Sequence, residues 1–546
     1  MDIIDPGAHK IPKLFVFLFI FLLALVCYVD SLGGDFLLDD KPLIVNNAYI
    51  KQLKTIPLLF ADHAFIFSVV SFEGGHRYYR PMQVLSFALD YFFWRLNPFG
   101  YRLTNVFFHS LAAFLLFYLL YRLFSDFSLA LLSSVFFTVH PIHTESVAYI
   151  CGRSELLISV FTLITLVFYL RYLDSRRGIN YALSLLGFIC ALLSREAGFL
   201  IYVPLFTLFL GLNSGIKKSN AWFDFIGFSG ILLIYVILRF TYLVPVQAFL
   251  ISGSNPAIDI LNFLNILYGY FKLLVLPYPL YILRSLPSIV SYGAVYILGL
   301  VLFFILLGII LSLLIRRKSY ILVFGAGWFI FTLSYLVRFM YKFGNIVAME
   351  EHWVYLASAG FFIILARLVL MIKKERIIKS ACACIIFYFV FFTVAQSKNY
   401  KDEIVFSRYN LKYVDPYLSV IPRLNLVSVL LSRGSYAQAL EEESAILSID
   451  PDNWMAYVQL GDIYRGMKDF VMAESSYRKA LEIDYFCWQA NRRLMRLGAE
   501  TGSGYREDIG PGLPAEEAEV IRLIRSGNFD QAISQLKEKL TASPSP

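Results

Sequence analysis

Apolar residues fall in long unbroken runs, separated by short polar segments. The runs lie at about 14–32, 103–124, 128–147, 154–173, 179–194, 197–213, 221–244, 291–315, 320–340, 352–372 and 377–396. Most have the ~20 residues a helix needs to cross ~30 Å of hydrocarbon. A further apolar stretch at 258–276 is bracketed by Pro256, Pro277 and Pro279, and counting it as a span would put Arg316, Arg317 and Lys318 outside. Read as interfacial or re-entrant, it leaves about eleven spans. The clusters Arg171/Arg176/Arg177, Lys217/Lys218, Arg316/Arg317/Lys318 and Lys373/Lys374/Arg376/Lys379 then all face the cytoplasm, as the positive-inside bias requires. The first run follows His9, Lys10 and Lys13, is too long for a signal peptide and lacks a small-residue cleavage site. It is expected to be a retained anchor with a cytoplasmic N-terminus.

Beyond about residue 398 the long runs stop and two segments align at a spacing of 34 residues, the period of tetratricopeptide repeats. In one unit Tyr457, Leu460, Gly461, Tyr464, Ala473, Tyr477 and Ala480 occupy positions where paired helices pack, and Leu426, Leu430, Ala439 and Pro451 repeat the pattern upstream. Residues 527–532 echo 468–473 and predict a third, degenerate unit ending near Pro544. The expected organisation is all-α: a multispan domain over 1–397 with a large first outer loop at 33–102, a connector at 398–419 and repeats over 420–546.

Composition narrows the class. Of the 546 residues 58% are hydrophobic and 16% charged, with mean hydropathy +0.64; soluble domains carry about 25% charged residues. This excludes an ordinary soluble domain, a disordered chain and a disulfide-stapled module. The net charge of +8 sits in clusters between apolar runs, which points to membrane orientation and away from nucleic acid. The six cysteines show no CxxC spacing, and four lie in apolar segments, where a thiol acts as a small hydrophobe.

Polar residues that stand out gather at the outer ends of the spans. The first outer loop opens with Gly34-Asp35-Phe36-Leu37-Leu38-Asp39-Asp40. A paired acid beside lipid can act as a general base, orient a hydroxyl or bind a divalent cation, and a solvated turn or helix cap is the bland alternative. On the same side fall His140-Pro141-Ile142-His143-Thr144-Glu145, Arg153 with Glu155, Arg195-Glu196, Arg338 with Lys342, and Glu350-Glu351-His352. Ionisable groups near membrane depth are costly unless paired, so their convergence predicts a polar cavity opening outward. His140, His143 and Glu145 have spacing compatible with a metal, although Pro141 breaks the helix that would aim both rings one way. Arg338 and Lys342 would form one cationic face suited to phosphate. The segment 81–94 reads as a helix lying along the outer surface.

Taken together, Gly34 to Asp40, Ile44-Val45-Asn46-Asn47, Tyr79-Arg80-Pro81, Leu96 to Asn105, His140 to Glu145, Gly152-Arg153-Ser154-Glu155-Leu156, Glu351 and Tyr355-Leu356-Ala357-Ser358 resemble the transmembrane and tetratricopeptide repeat containing family of GT-C glycosyltransferases, over nearly the whole chain. The resemblance implies a site on the non-cytoplasmic side, a polyprenyl-phosphate-linked hexose donor such as a mannosyl one, and inverting transfer to an acceptor hydroxyl in a protein. In related protein O-mannosyltransferases the acidic pair opening the first outer loop supplies the base, and it maps onto Asp39 and Asp40, with Asp39 aligning best. Arg153, Arg195, Arg338, Glu351 and His352 are then candidates for donor phosphate or sugar, His352 standing where an Arg is expected. Tyr457 and Tyr464 are candidates for acceptor contact on the repeats.

The short repeat array leads us to expect a prokaryotic relative, in the bacterial inner membrane with periplasmic repeats; a eukaryotic chain would sit in the endoplasmic reticulum membrane. No cofactor is called for, and a divalent metal is compatible with the site. Two alternatives stay open: a transferase acting on an envelope glycan or glycolipid, and a non-catalytic membrane scaffold.

Overall fold

The computed structural model describes residues 12–57, 79–195, 198–199, 221–238, 255–316, 320–334, 336, 342–343, 346–485, 487–502 and 531. The run at 197–213, Arg338 and the third repeat at 527–544 lie essentially outside these residues. The chain divides into two compact units, one ending at Asp402 and the other beginning at Glu403.

The first unit is a helical membrane domain. Its helices are α1 (Lys13–Leu32), α2 (Pro81–Trp94), α3 (Pro98–Phe124), α4 (Phe127–Val139), α5 (Thr144–Ala148), α6 (Arg153–Ser175), α7 (Gly178–Leu192), α8 (Ala221–Leu238), α9 (Pro256–Val275), α10 (Ala294–Arg316), α11 (Tyr320–Leu333), α12 (Tyr355–Leu370) and α13 (Glu375–Ser397). Among the described residues six helices, counting 3-10 turns at their ends, are long and apolar enough to cross a membrane. A seventh candidate is the pair α4 and 141–148, bent by 54°. The bend sits where Pro141 cannot donate to a continuing helix, and His140 turns extended there. Several shorter apolar helices, including α7 and α11, accompany these spans. The segment at 258–276, expected to be interfacial or re-entrant, lies in an unbroken 20-residue helix that meets the length and composition of a span. Its flanking prolines fall at the helix start and beyond its end, where they are tolerated.

Side chains such as Leu14, Phe15, Leu22 and Val26 on α1 are more than half exposed, an apolar surface suited to lipid and unsuited to water. Helices α11 and α12 approach closely through glycine: a Cβ on Gly360 would lie 2.3 Å from the Gly325 carbonyl oxygen. The described strands are short. Antiparallel β1 (Ser285–Pro287), β2 (Lys342–Phe343) and β3 (Ile346–Ala348) pair in the order β1-β3-β2 and hold the loop that leads into α12.

The second unit consists of α14 (Glu403–Leu411) and the helices α15 (Val420–Ser432), α16 (Tyr436–Ile449), α17 (Trp454–Gly466), α18 (Phe470–Ile483) and α19 (Trp488–Thr501). Helices α15, α17 and α19 start 34 residues apart, as do α16 and α18. The period arises because each hairpin buries its apolar face on the next. Gly461 faces the buried Tyr477 ring, whose hydroxyl donates to Asp462 at 2.8 Å, while Asp462 also takes the Arg493 Nε at 2.7 Å. A Cβ at 461 would lie 2.3 Å from that ring. Gly461→Ala is therefore expected to destabilise this hairpin by about 1–3 kcal/mol, read as faster amide exchange over 454–483 in the full chain.

Candidate functional site

The loop after α1 is built to hold one aspartate and offer another. Arg102, fully buried at the start of α3, donates to the carbonyl oxygens of Ala148 (2.9 Å), Gly34 (2.6 Å) and Asp35 (2.5 Å), which staples the loop to the helical body. Gly34 is needed because a Cβ there would lie 2.6 Å from the Tyr400 carbonyl oxygen. A small apolar core of Ile44, Ile50, Val84, Phe87, Tyr101 and Ile150 supports the loop from beneath. Leu38 takes the left-handed conformation at φ 41°, a costly choice for a branched residue, directly before the acidic pair.

That turn gives the two aspartates different environments. Asp40 is fully buried, and its carboxylate accepts the backbone N–H of Leu37 at 2.9 Å and of Cys151 at 3.0 Å. Burial pushes its carboxyl up to about 6 despite these bonds and the nearby Arg102 charge. Asp40 is a clamp between the loop and the 149–152 segment. Asp40→Asn turns one acceptor oxygen into a donor facing an N–H, and is expected to cost about 1–3 kcal/mol, measured as a lowered melting temperature in detergent. Asp39 is half-buried, and its backbone N–H donates to the Tyr149 hydroxyl at 3.1 Å. Burial raises its carboxyl above the usual range, and a hydrogen bond from Tyr149 and the charge of Arg80 work the other way. A half-buried carboxylate with raised affinity for a proton is a competent base.

A second cluster forms where α5, α6, α7 and the loop before α12 converge. The His352 backbone N–H donates to Glu145 Oε2 at 3.0 Å, and its ring Nδ1 lies 2.8 Å from Glu145 Oε1. On its other side His352 Nε2 is 3.9 Å from Glu155 Oε1, and Glu155 pairs with Arg195. Arg284, just before β1, donates through Nε (3.1 Å) and Nη2 (2.8 Å) to Glu351, which also accepts the Tyr281 N–H at 2.9 Å. Glu350 accepts the Leu283 N–H at 3.2 Å; burial, followed by the charge of Glu145, raises its carboxyl. The charge of Arg80 favours the ionised form of Asp39 and disfavours the protonated form of His352.

The geometry divides the sequence candidates. Glu145, Arg195, Glu351 and His352 belong to this polar cluster, and Asp39 stands on the loop after α1. Arg153 does not offer itself to a ligand: fully buried, it pairs with Asp90 at 2.5 Å, donates to Asn105 Oδ1 at 2.7 Å and to the Tyr101 carbonyl at 2.6 Å, and covers the Phe87 ring. His140 and His143 are also committed. His140 accepts the Ile142 N–H at 3.1 Å and lies 3.1 Å from the Leu274 carbonyl, while His143 meets the Phe137 carbonyl at 2.7 Å and Ser358 at 2.9 Å. Among the described residues the set with ligand atoms within 4.8 Å of one another is Glu145, Glu350 and His352, the group a divalent cation could use. Tyr457 and Tyr464 pack half-buried against the repeat cores.

Nothing in the local sequence assigns a role to Tyr149, Arg284 or Arg80. Arg80 stands in Tyr79-Arg80-Pro81, where a cation directly before a helix-starting proline was a usable signal. Tyr149 and Arg284 carried none, because their partners lie 110 and 67 residues away in sequence.

Fold and site define a multi-pass helical membrane protein with a buried-carboxylate cluster at one end of its spans and a repeat domain following. The tetratricopeptide repeat model matches residues 456–487. The chain is 29% identical over 356 residues to the nematode Caenorhabditis elegans protein O-mannosyl-transferase F38B6.6, covering 63% of this chain and 50% of that one. It is 37% identical over 145 residues to human protein O-mannosyl-transferase TMTC3 (27% of this chain, 16% of the relative), and 32% over 208 residues to mouse TMTC1 (36% and 22%). No solved structure matches. The chain is thus similar in part to proteins named protein O-mannosyl-transferases, and it spans at most about half the length of these curated relatives.

Proposed function

We propose that the chain is a membrane glycosyltransferase that moves a hexose, mannose by analogy with the names of its relatives, from a polyprenyl-phosphate donor to a hydroxyl of a protein, on the non-cytoplasmic side. The observation that carries this reading is the environment of Asp39, a half-buried carboxylate beside Arg80 and Tyr149 on the loop that leaves α1. Asp39 takes the proton of the acceptor hydroxyl as that oxygen attacks the anomeric carbon. The bond from that carbon to the phosphate oxygen breaks on the opposite face, so the anomeric centre inverts and the electron pair leaves with the polyprenyl phosphate. Arg80 offsets the charge developing on the phosphate. His352, held between Glu145 and Glu155, and Arg195 behind it shape the donor side.

The repeats support a protein acceptor, because stacked helical hairpins form an extended surface suited to polypeptide. The test offers one labelled polyprenyl-phosphate hexose to the purified chain with a protein fraction and a glycolipid fraction of the host envelope. Label entering protein is expected. Label entering glycolipid alone would reassign the acceptor, and the repeats would then serve a docking partner.

A further inference from the structure

We propose that Tyr149 is the positioning residue of the candidate base, its hydroxyl fixing the Asp39 carboxylate toward the incoming acceptor. This rests on the reading of Asp39 as base. The Tyr149 oxygen accepts the Asp39 backbone N–H at 3.1 Å, which leaves its own proton to donate within reach of the carboxylate of the same residue. That donation lets one hydroxyl hold the backbone and the side chain of Asp39 together, and the ring it closes restricts the first side-chain torsion.

Tyr149 is itself held from behind. Asn105 Nδ2 donates to the Tyr149 carbonyl at 3.1 Å and also to the Val147 carbonyl at 3.1 Å, pinning the turn after α5. Asn105 Oδ1 accepts Arg153 Nε at 2.7 Å, and Arg153 Nη1 meets Asp90 at 2.5 Å. A buried chain therefore runs from Asp90 on α2 through Arg153 on α6 and Asn105 on α3 to Tyr149, and ends at Asp39. The Tyr149 ring packs on the small core under the loop, a task phenylalanine would do equally well. Its oxygen serves Asp39.

Among the described residues the charged and titratable groups that act on this pair are Arg80 before α2, on Asp39, and Asp40 and Cys151, on Tyr149. By donating a neutral hydrogen bond to the ionised carboxylate, Tyr149 favours the form that acts as base. Removing that bond makes the carboxylate hold its proton to higher pH. The base works ionised, so activity is lost as pH falls through its pKa, and the acid limb must move upward.

The experiment compares pH profiles of kcat/KM for the full-length wild type, Tyr149→Phe and a chain carrying 3-fluorotyrosine at 149, using labelled polyprenyl-phosphate hexose and host envelope protein. Tyr149→Phe is expected to move the acid limb up by roughly half to one pH unit and to lower kcat on the alkaline plateau by roughly tenfold. Fluorotyrosine, a stronger donor of nearly the same shape, is expected to move the limb down. A Tyr149→Phe protein that loses activity with its acid limb unmoved, or keeps both unchanged, would overturn the proposal. If that variant does not fold, the fluorotyrosine arm decides alone, and an unmoved limb there refutes it. Asp39→Asn is run alongside: transfer surviving in that variant would sink the base assignment itself, whereas transfer lost there with unmoved limbs in the others removes only Tyr149.

Discussion

Asp39→Asn is expected to lower sugar transfer by about 10²–10⁴-fold while the protein melts as the wild type does. Asparagine has nearly the shape of aspartate, and the Asp39 backbone N–H that the Tyr149 hydroxyl accepts is untouched. What disappears is the capacity to take a proton from the acceptor hydroxyl. The contrast with Asp40 is the informative part. Both oxygens of Asp40 are taken by N–H groups, so Asp40→Asn should act mainly through stability, with activity per folded molecule largely kept. Rates normalised to folded protein separate the two. Equal catalytic losses in both variants would mean the acidic pair works as a unit.

Arg153→Met is expected to be the most destabilising single change in the first unit, by about 3–5 kcal/mol. Methionine fills much of the same volume, but it leaves Asp90 as a buried charge without its partner and strands the acceptors on Asn105 and Tyr101. The double variant Asp90→Asn with Arg153→Met should recover part of the loss, because the uncompensated charge is gone. Thermal unfolding in detergent reads both. A single variant that melts like the wild type would show that this network contributes little and would weaken the argument that it holds Tyr149 in place.

How much of this was legible in the sequence follows from the range over which each signal acts. Spans and repeats are local patterns: α1, α3 and α13 follow from unbroken apolar runs, and the starts of α15, α17 and α19 follow from a 34-residue period. The break at Pro141 was legible for the same reason. The segment at 258–276 was not, because its prolines look like breakers until their positions relative to α9 are known.

The candidate site shows the limit more sharply. Asp39 and Asp40 are adjacent and chemically identical, and their separation into a half-buried carboxylate and a buried clamp depends on one left-handed residue, Leu38, and on the N–H of Cys151, 111 residues away. Arg153 and Arg195 look alike as cations at the outer ends of spans. One is enclosed with Asp90, and the other joins Glu155 beside His352. The difference is a matter of which helices pack together, and no local pattern encodes it.

The central claim is tested most directly by supplying purified chain in lipid nanodiscs with a polyprenyl-phosphate hexose and a serine- and threonine-bearing acceptor protein from the same host, then reading the acceptor's intact mass and the anomeric configuration of the product. The account predicts one or more added hexoses, with configuration opposite to the donor's and none formed by Asp39→Asn. Folded wild type that leaves the acceptor mass unchanged across a panel of polyprenyl-phosphate hexoses, while still binding acceptor through its repeats, would contradict it.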